Sequence, residues 1–508
     1  MKKLVLFMSW IILALSGCSD ESVIEPDSTS LPQSVNTRTV GDGIYDVLGY
    51  GYDITEEYMG ENSTKLRIID VDAFVKDHKD RFDNPFIGII DQRVFAGEDA
   101  YSFLHQVITD TNFEGSVGKI GIKDDAEGFF SGTIKTGFKS NTMSSYSTKY
   151  SFARAEVLKK QRRYLLNTDI STLSQYLSAT FIEDLNKYSA AKIVEMYGTH
   201  VLTQIIVGGK YVADYKSAIT EETNRTEKTK TVSAGAKFNL SSIGLNANGA
   251  WNKTEITETN KKNTNWECHI KSIGGSTSGT SITVTPDQST SYTINLGAWS
   301  ESVDDKHSKL IDADWNATYP IYDLISDPIK KQKVKEAVLA YIDSKKIVVK
   351  EVNPFYRVYK GKDRNTFYSS SYEEIIDKMN IGYLPDPILT NYVQGYVFKN
   401  ADPGTVPIYR LYKSSTKNSY YTTSWDEVQD MQKKGYNYDN FKTSYIQGYI
   451  YKNEMPGTVP LYRLYKGSVR NTFYTTSSAE VKYMQNMGYA LDPEKIGYII
   501  GYMLPYKD

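Results

Sequence analysis

The sequence predicts an α+β domain followed by a mostly-β domain built as a closed, pseudo-threefold, β-trefoil-like unit. Three observations carry that reading. A capped helix, an apolar strand and a glycine pair follow one another between Ser189 and Gly209. Segments near 130–138 and 233–252 alternate apolar and polar residues at the period of a strand. Past residue 350, one aromatic motif occurs three times at constant spacing.

The N-terminus comes first. Lys2 and Lys3 precede an apolar run from Leu4 to Leu15. That run is too short to span a bilayer, which takes about 20 residues, and reads as a signal-peptide core. It ends at Leu15-Ser16-Gly17-Cys18, which resembles a bacterial lipobox and implies lipidation of Cys18 as the first mature residue. Acyl chains hold such a protein firmly, at about 0.8 kcal/mol per buried CH₂. Ser19-Asp20-Glu21 resembles the acidic surface-export tags of Bacteroidetes lipoproteins. Residues 19–43 are rich in Ser, Thr, Pro and Asp and read as a flexible tether.

Residues 44–350 form the α+β domain. Phe152 to Arg163 is strongly basic, and Thr172 to Tyr188 reads helical, with Leu173, Leu177, Phe181 and Leu185 four apart. Ser189 can N-cap a short helix that Gly198 closes in the left-handed conformation. Val201 to Val207 is apolar on both faces, as a strand buried in a central sheet would be. Gly208 and Gly209 permit a bend or a close backbone approach.

Two segments alternate. Phe130, Ile134 and Phe138 share one face at period two, and their spacing also fits a helical stripe. Ala234, Ala236, Phe238 and Leu240, then Ile243, Leu245 and Trp251, alternate with polar residues about a Ser241-Ser242 turn. That pattern predicts a hairpin, either half-buried at the surface or able to enter a membrane.

Composition limits the chemistry. A net charge of −2 gives no attraction to nucleic acid. With Cys18 lipidated, Cys268 remains alone and reads as a small buried residue. The five histidines show no metal-ligand spacing, and no nucleophile–base pair or phosphate loop stands out. No catalytic residue, metal or cofactor is expected. His200 reads as a packed, hydrogen-bonded residue.

The string Tyr197-Gly198-Thr199-His200, followed by Gly208-Gly209, resembles the signature of the membrane attack complex/perforin (MACPF) family, with Val201 where the family prefers Phe or Tyr. Gly49-Tyr50-Gly51-Tyr52-Asp53 is close to the first-strand motif of bacterial members. The resemblance implies a bent antiparallel sheet flanked by two clusters of small helices. It further implies that the 130–138 and 233–252 regions lie in segments that unfurl into membrane hairpins. Copies would then close into a ring-shaped homo-oligomer on membranes, from a monomer in solution.

Residues 351–508 form three copies, at about 354–406, 407–459 and 460–508. Pro354-Phe355-Tyr356-Arg357 recurs from Pro407 and Pro460, and Asn365-Thr366-Phe367-Tyr368 recurs from Asn418 and Asn471. Exact spacing implies closed symmetry rather than an open solenoid. Ser371/Glu374, Ser424/Glu427 and Ser477/Glu480 read as capping boxes that open helices ending at Gly382, Gly435 and Gly488. The domain resembles tyrosine-rich repeats appended to bacterial cell-surface proteins. More than half of the 41 tyrosines lie here. They read either as symmetric core or as a carbohydrate-stacking surface. The candidate glycan or receptor contacts are Asn365, Tyr368, Asn418, Tyr421, Asn471, Tyr474, Arg357, Arg410 and Arg463.

Together these features lead us to expect an outer-membrane lipoprotein, surface-exposed or released in vesicles. It would act as a membrane-damaging effector, antibacterial or host-directed, similar to secreted antimicrobial MACPF proteins of gut Bacteroidales. The alternative is a non-lytic adhesin or glycan-capture protein with the same domain as scaffold.

Overall fold

The computed structural model describes residues 44–113, 128–140, 142–263, 265–287, 292–386, 392–440, 442–492 and 496–507. All belong to one compact unit, 39–508. Cys18 and the tether lie outside the described residues.

Four long antiparallel strands make the central sheet, in the order Phe86–Gly97, Ser151–Leu166, Gln204–Ser217, Trp266–Ile273. Strand alternation gives this sheet two unlike faces. Ala153, Ala155, Val157, Tyr211, Ala213, Tyr215, Cys268 and Ile270 form the apolar face. Arg93, Arg154, Glu156, Lys210, Asp214 and Lys271 occupy the other. The basic run Phe152 to Arg163 is thus a strand, with Arg154 and Glu156 on the charged face and the charges of 159–163 divided between both faces about the bulge.

The glycine pair sits at a bulge. Pairing slips between Lys160 and Arg162, opposite Gly208. A Cβ on Gly208 would stand 1.9 Å from the Lys159 carbonyl oxygen, and one on Gly209 2.7 Å from Val303 Cγ2. The extra residue bends the strand, and the glycines let it bend against its neighbours.

Two expectations need correction. The apolar run 201–207 is not one strand. His200–Val201 joins a small sheet with Tyr50–Tyr52, Thr64–Arg67 and Tyr319–Pro320, whereas Gln204–Ser217 enters the central sheet. The 172–188 helix is also broken. Ile170–Leu173 ends early, and the Ser178 hydroxyl caps a second helix, Ala179–Lys187, by accepting from Phe181 N–H.

Past residue 351, each copy has a long strand, a hairpin partner, one helix, a two-residue strand and a closing strand. The closing strands meet one another through Phe398↔Tyr449, Tyr451↔Tyr502 and Tyr396↔Leu504. Each copy touches both others, so the symmetry is closed.

Candidate membrane-active segments and domain contacts

The two glycine-rich strings interlock. Helix Ala190–Tyr197 is capped by Ser189, whose hydroxyl accepts from Lys192 N–H, and it ends at Gly198 with φ +76°. A Cβ on Gly198 would meet the Tyr52 carbonyl at 2.6 Å, and one on Gly51 would meet the Tyr197 oxygen at 1.9 Å. Thr199 closes the joint. Its hydroxyl donates to Tyr52 C=O at 3.1 Å and accepts from Ile54 N–H at 3.2 Å. His200 is fully buried, with Nδ1 3.1 Å from the Thr199 hydroxyl and its ring against Phe113. Tyr197 donates to Asp184 at 2.7 Å. Every polar contact here ties chain to chain, and none faces an opening.

Each candidate membrane segment lies between two strands that are neighbours in the sheet. Residues 98–150 connect Phe86–Gly97 to Ser151–Leu166, and 218–265 connect Gln204–Ser217 to Trp266–Ile273. The bases of both are zipped, by Gly97↔Phe152 and Ser217↔Trp266, and Ser151↔Ser217 joins them.

In the first segment Phe130, Ile134 and Phe138 are fully buried, around a single π-helical turn, Thr133–Gly137. Phe130 packs edge-on to Tyr58, and Phe138 to Phe103 and Phe152. The helical alternative describes this state only in part, because Phe130 has φ +54° and breaks the stripe. Residues 114–127 lie outside the described residues.

The second segment is not a hairpin in this state. Ala234, Ala236, Phe238 and Leu240 belong to helix Arg225–Ser242, and the expected Ser241-Ser242 turn is its last turn. Ile243, Leu245 and Trp251 follow in irregular chain around Ala247–Gly249. The physical reason is a second period in the same residues. Val232, Ala236 and Leu240 are spaced by four and bury together on the apolar sheet face with Ile243 and Leu245. Gly235 brings the helix onto Tyr215, where a Cβ would lie 2.3 Å from the ring.

Beneath the first segment the charged sheet face is closed by ion pairs. Arg154, fully buried, donates to both oxygens of Asp214 (2.6 and 2.9 Å), to Glu57 (2.7 Å) and to the Tyr58 carbonyl (3.0 Å). Lys271 donates to Glu57 as well. Arg93 bridges Glu156 at 2.5 Å and Asp312 at 2.9 Å. Burial alone would raise both glutamate carboxyls. Lys271 and Arg154 hold Glu57 at about 2, and Arg93, Lys210 and Arg154 hold Glu156 at about 2. Burial lowers Lys210 to about 8 despite Glu156. Among the described residues no cluster could hold a metal ion, and no helix is long and apolar enough to cross a membrane.

The nine expected ligand contacts of the repeat domain are buried instead. Tyr368, Tyr421 and Tyr474 form a ring in which each hydroxyl donates to one neighbour's carbonyl and accepts that same neighbour's N–H, at 2.7 to 2.9 Å. Arg357, Arg410 and Arg463 are fully buried and pair with Glu480, Glu374 and Glu427, each in the neighbouring copy. Asn365, Asn418 and Asn471 donate to Tyr383, Tyr436 and Tyr489 and are nearly buried. Symmetry makes core residues recur, and these are core.

The capping boxes are half right. Ser371, Ser424 and Ser477 accept from the N–H of Glu374, Glu427 and Glu480. The glutamate carboxylates do not reach back. They bind the arginine of the next copy, and Ser369, Thr422 and Thr475 accept the cap N–H in their place.

The repeat domain also grips the roots of both segments, which no motif signalled. Tyr356 donates to Thr220 C=O at 2.5 Å and Tyr392 to Glu221 at 2.7 Å, just before helix Arg225–Ser242. Asn265, just before strand Trp266–Ile273, donates to Tyr506 C=O at 3.1 Å. Ahead of strand Ser151–Leu166, Thr148 and Val352 exchange hydrogen bonds, and Lys149 donates to Pro505 C=O at 2.7 Å.

Comparison with known proteins follows this division. Residues 41–350 match the MAC/Perforin domain and residues 354–500 a domain of unknown function (DUF5648). No curated protein matches the chain. Solved structures are similar at low identity. A protein with a MAC/Perforin domain from Bacteroides thetaiotaomicron aligns at 18% identity over 79% of this chain and 92% of its own, with a TM-score of 0.49. GNIP1Aa from Chromobacterium piscinae aligns at 12% over 85% and 88%, with a TM-score of 0.44. With its family model matched over more than half its length, the chain belongs to the MAC/perforin domain family.

Proposed function

We propose that this chain is a lipid-anchored, membrane-damaging effector that residues 351–508 place on a target surface. One observation carries the reading. Residues 98–150 and 218–265 leave the central sheet from paired strand ends at one level. If both segments extend, the four strands simply continue their existing ladders as two adjacent hairpins. Continuing a formed ladder avoids the cost of unpaired backbone in lipid, and closure with other copies removes the remaining edges. The sheet already alternates an apolar with a charged face, as a lipid-exposed barrel wall must. Cys18 as the acylated residue and an outer-membrane location belong to the same proposal.

The test is release of dye from vesicles made of target-cell lipid. A cysteine pair tethering helix Arg225–Ser242 to strand Gln204–Ser217 should abolish release until reductant is added. Release that persists in the oxidised protein would refute insertion of this segment.

A specific feature favours the second reading, a non-lytic adhesin. The apolar positions 234 and 236 are alanines, and Lys228, Lys230 and Lys237 share their helix. Surface retention without dye release from any vesicle would select it.

A further inference from the structure

A cleft opens in the repeat domain where the helix of copy three meets the hairpin of copy one. The cleft between copies three and one has a volume of 500 Å³, within the usual range for a ligand site. It lies away from the sheet domain. Val352 at the start of strand Val352–Lys360 bonds Thr148, whereas Tyr359 near its other end and Gly361 just past it line the cleft.

This cleft departs from the symmetry of its own domain. The helix position that carries Asp377 and Asp430 in copies one and two carries Tyr483 in copy three, 43% exposed. The position of Ile381 and Lys434 carries Met487, 53% exposed, and Tyr359 across the cleft is 37% exposed. Tyr359 recurs as Tyr412 and Tyr465 and belongs to the repeat, whereas an exposed tyrosine at 483 and an exposed thioether at 487 occur in copy three alone, and symmetry does not explain them.

The charge is also altered there. In copy one Lys360 is paired with Asp363. In copy three the equivalent lysine is Lys466, Val469 stands at the position of Asp363, and Lys466 has no carboxylate partner among the described residues. Arg364 is exposed, sits at φ +49° on its turn, and makes no side-chain hydrogen bond or ion pair among the described residues. Asp386, the one carboxylate among the described residues that line the cleft, is already matched by Arg357 at 3.2 Å. Lys466 Nζ donates to the Met487 carbonyl at 2.6 Å, as Lys360 and Lys413 donate to the carbonyls of Ile381 and Lys434. Beside the aromatic wall, Arg364 and Lys466 therefore have no countercharge among the described residues, and Arg364 alone has no hydrogen-bond partner there.

We infer that this cleft binds an anionic saccharide. The tyrosine faces stack on the C–H faces of a sugar ring, and Arg364 and Lys466 take its carboxylate, sulfate or phosphate. The inference rests on the reading of residues 351–508 as the targeting module and names what that module takes.

The experiment uses the full chain on an array of sialylated, uronate-bearing, sulfated and phosphorylated oligosaccharides with their neutral counterparts. Acidic members should bind at least about tenfold more tightly than their neutral partners. The double variant Tyr483→Asp, Met487→Lys carries residues that copy two already holds at those positions, so it should unfold at the wild-type midpoint. Its binding should fall by at least about tenfold. Arg364→Gln should erase the preference for acidic sugars while keeping the unfolding midpoint. No retained oligosaccharide, equal binding by the double variant, or no acidic preference in the wild type would each overturn the inference. Peptide capture by the same cleft, with sugars ignored, would do so too. Bacterial-envelope and animal glycans on separate array arms identify the source. Dye release at high protein concentration, measured in parallel, separates the two proposals: release without sugar binding removes only the cleft, and sugar binding without release removes only the lytic activity.

Discussion

The Tyr356 hydroxyl of the repeat domain donates to the Thr220 carbonyl at 2.5 Å, the point where the central sheet gives way to its second helical segment. Tyr392 holds the next residue, Glu221. Segment 218–265 therefore cannot straighten from its root without breaking contacts to the other domain. A typical hydrogen bond contributes about 0.5–1.5 kcal/mol, so the double variant Tyr356→Phe, Tyr392→Phe should loosen this root by about 1–3 kcal/mol. Hydrogen exchange should speed up by roughly 5- to 150-fold at 218–224, with little change in strand Ser151–Leu166. Uniform acceleration across the sheet would show that the tyrosines stabilise the whole fold instead.

Arg154 concentrates the electrostatics of the sheet, because Asp214, Glu57 and the Tyr58 carbonyl all converge on it. Arg154→Met removes the cation and leaves two buried carboxylates sharing Lys271, which donates to Glu57 and stands 3.6 Å from Asp214. A loss of about 3–5 kcal/mol is expected, read from denaturant unfolding of the sheet domain. The triple variant Arg154→Met, Asp214→Leu, Glu57→Gln should recover most of it.

Acid should open the same face. Glu57 and Glu156 titrate at about 2 in the folded chain and near 4.5 when unfolded. Above the unfolded value both states are ionised and the stabilisation is complete. As pH falls through the interval from about 4.5 to 2, the unfolded chain takes up protons first, and stability declines. Urea midpoints measured across that interval should fall steadily, and Glu156→Gln should flatten the slope.

How much of this could be read from the sequence depends on how local the cause is. Gly198 and Gly208 announce themselves because a single Cβ is forbidden by a nearby backbone oxygen. The fate of 234–240 could not be read, since Ala236 and Leu240 satisfy both period two and period 3.6, and only contact with Tyr215 and its apolar neighbours decides between them. The repeated Tyr, Asn and Arg residues were visible as a pattern but ambiguous in role, because internal symmetry replicates core as faithfully as it replicates a surface. Tyr483 shows the reverse. It stands in the sequence as a break in the repeat, at a register where copies one and two both carry Asp.

The tyrosine ring yields the sharpest test of closed symmetry. The Tyr368 hydroxyl donates to Tyr474 C=O at 2.8 Å and accepts from Tyr474 N–H at 2.8 Å, and the same pair of bonds repeats for Tyr421 with Tyr368 and for Tyr474 with Tyr421. Tyr→Phe at any one position strips two buried backbone groups of their partner, at about 1–3 kcal/mol each, with no loss of ring packing. Because the ring has no end, Tyr368→Phe, Tyr421→Phe and Tyr474→Phe should lower the unfolding midpoint of the repeat domain by nearly equal amounts. In an open array the terminal copies would cost less than the middle one. A markedly milder effect at Tyr368 or Tyr474 than at Tyr421, followed by near-ultraviolet circular dichroism, would therefore show that the ring is not closed in solution.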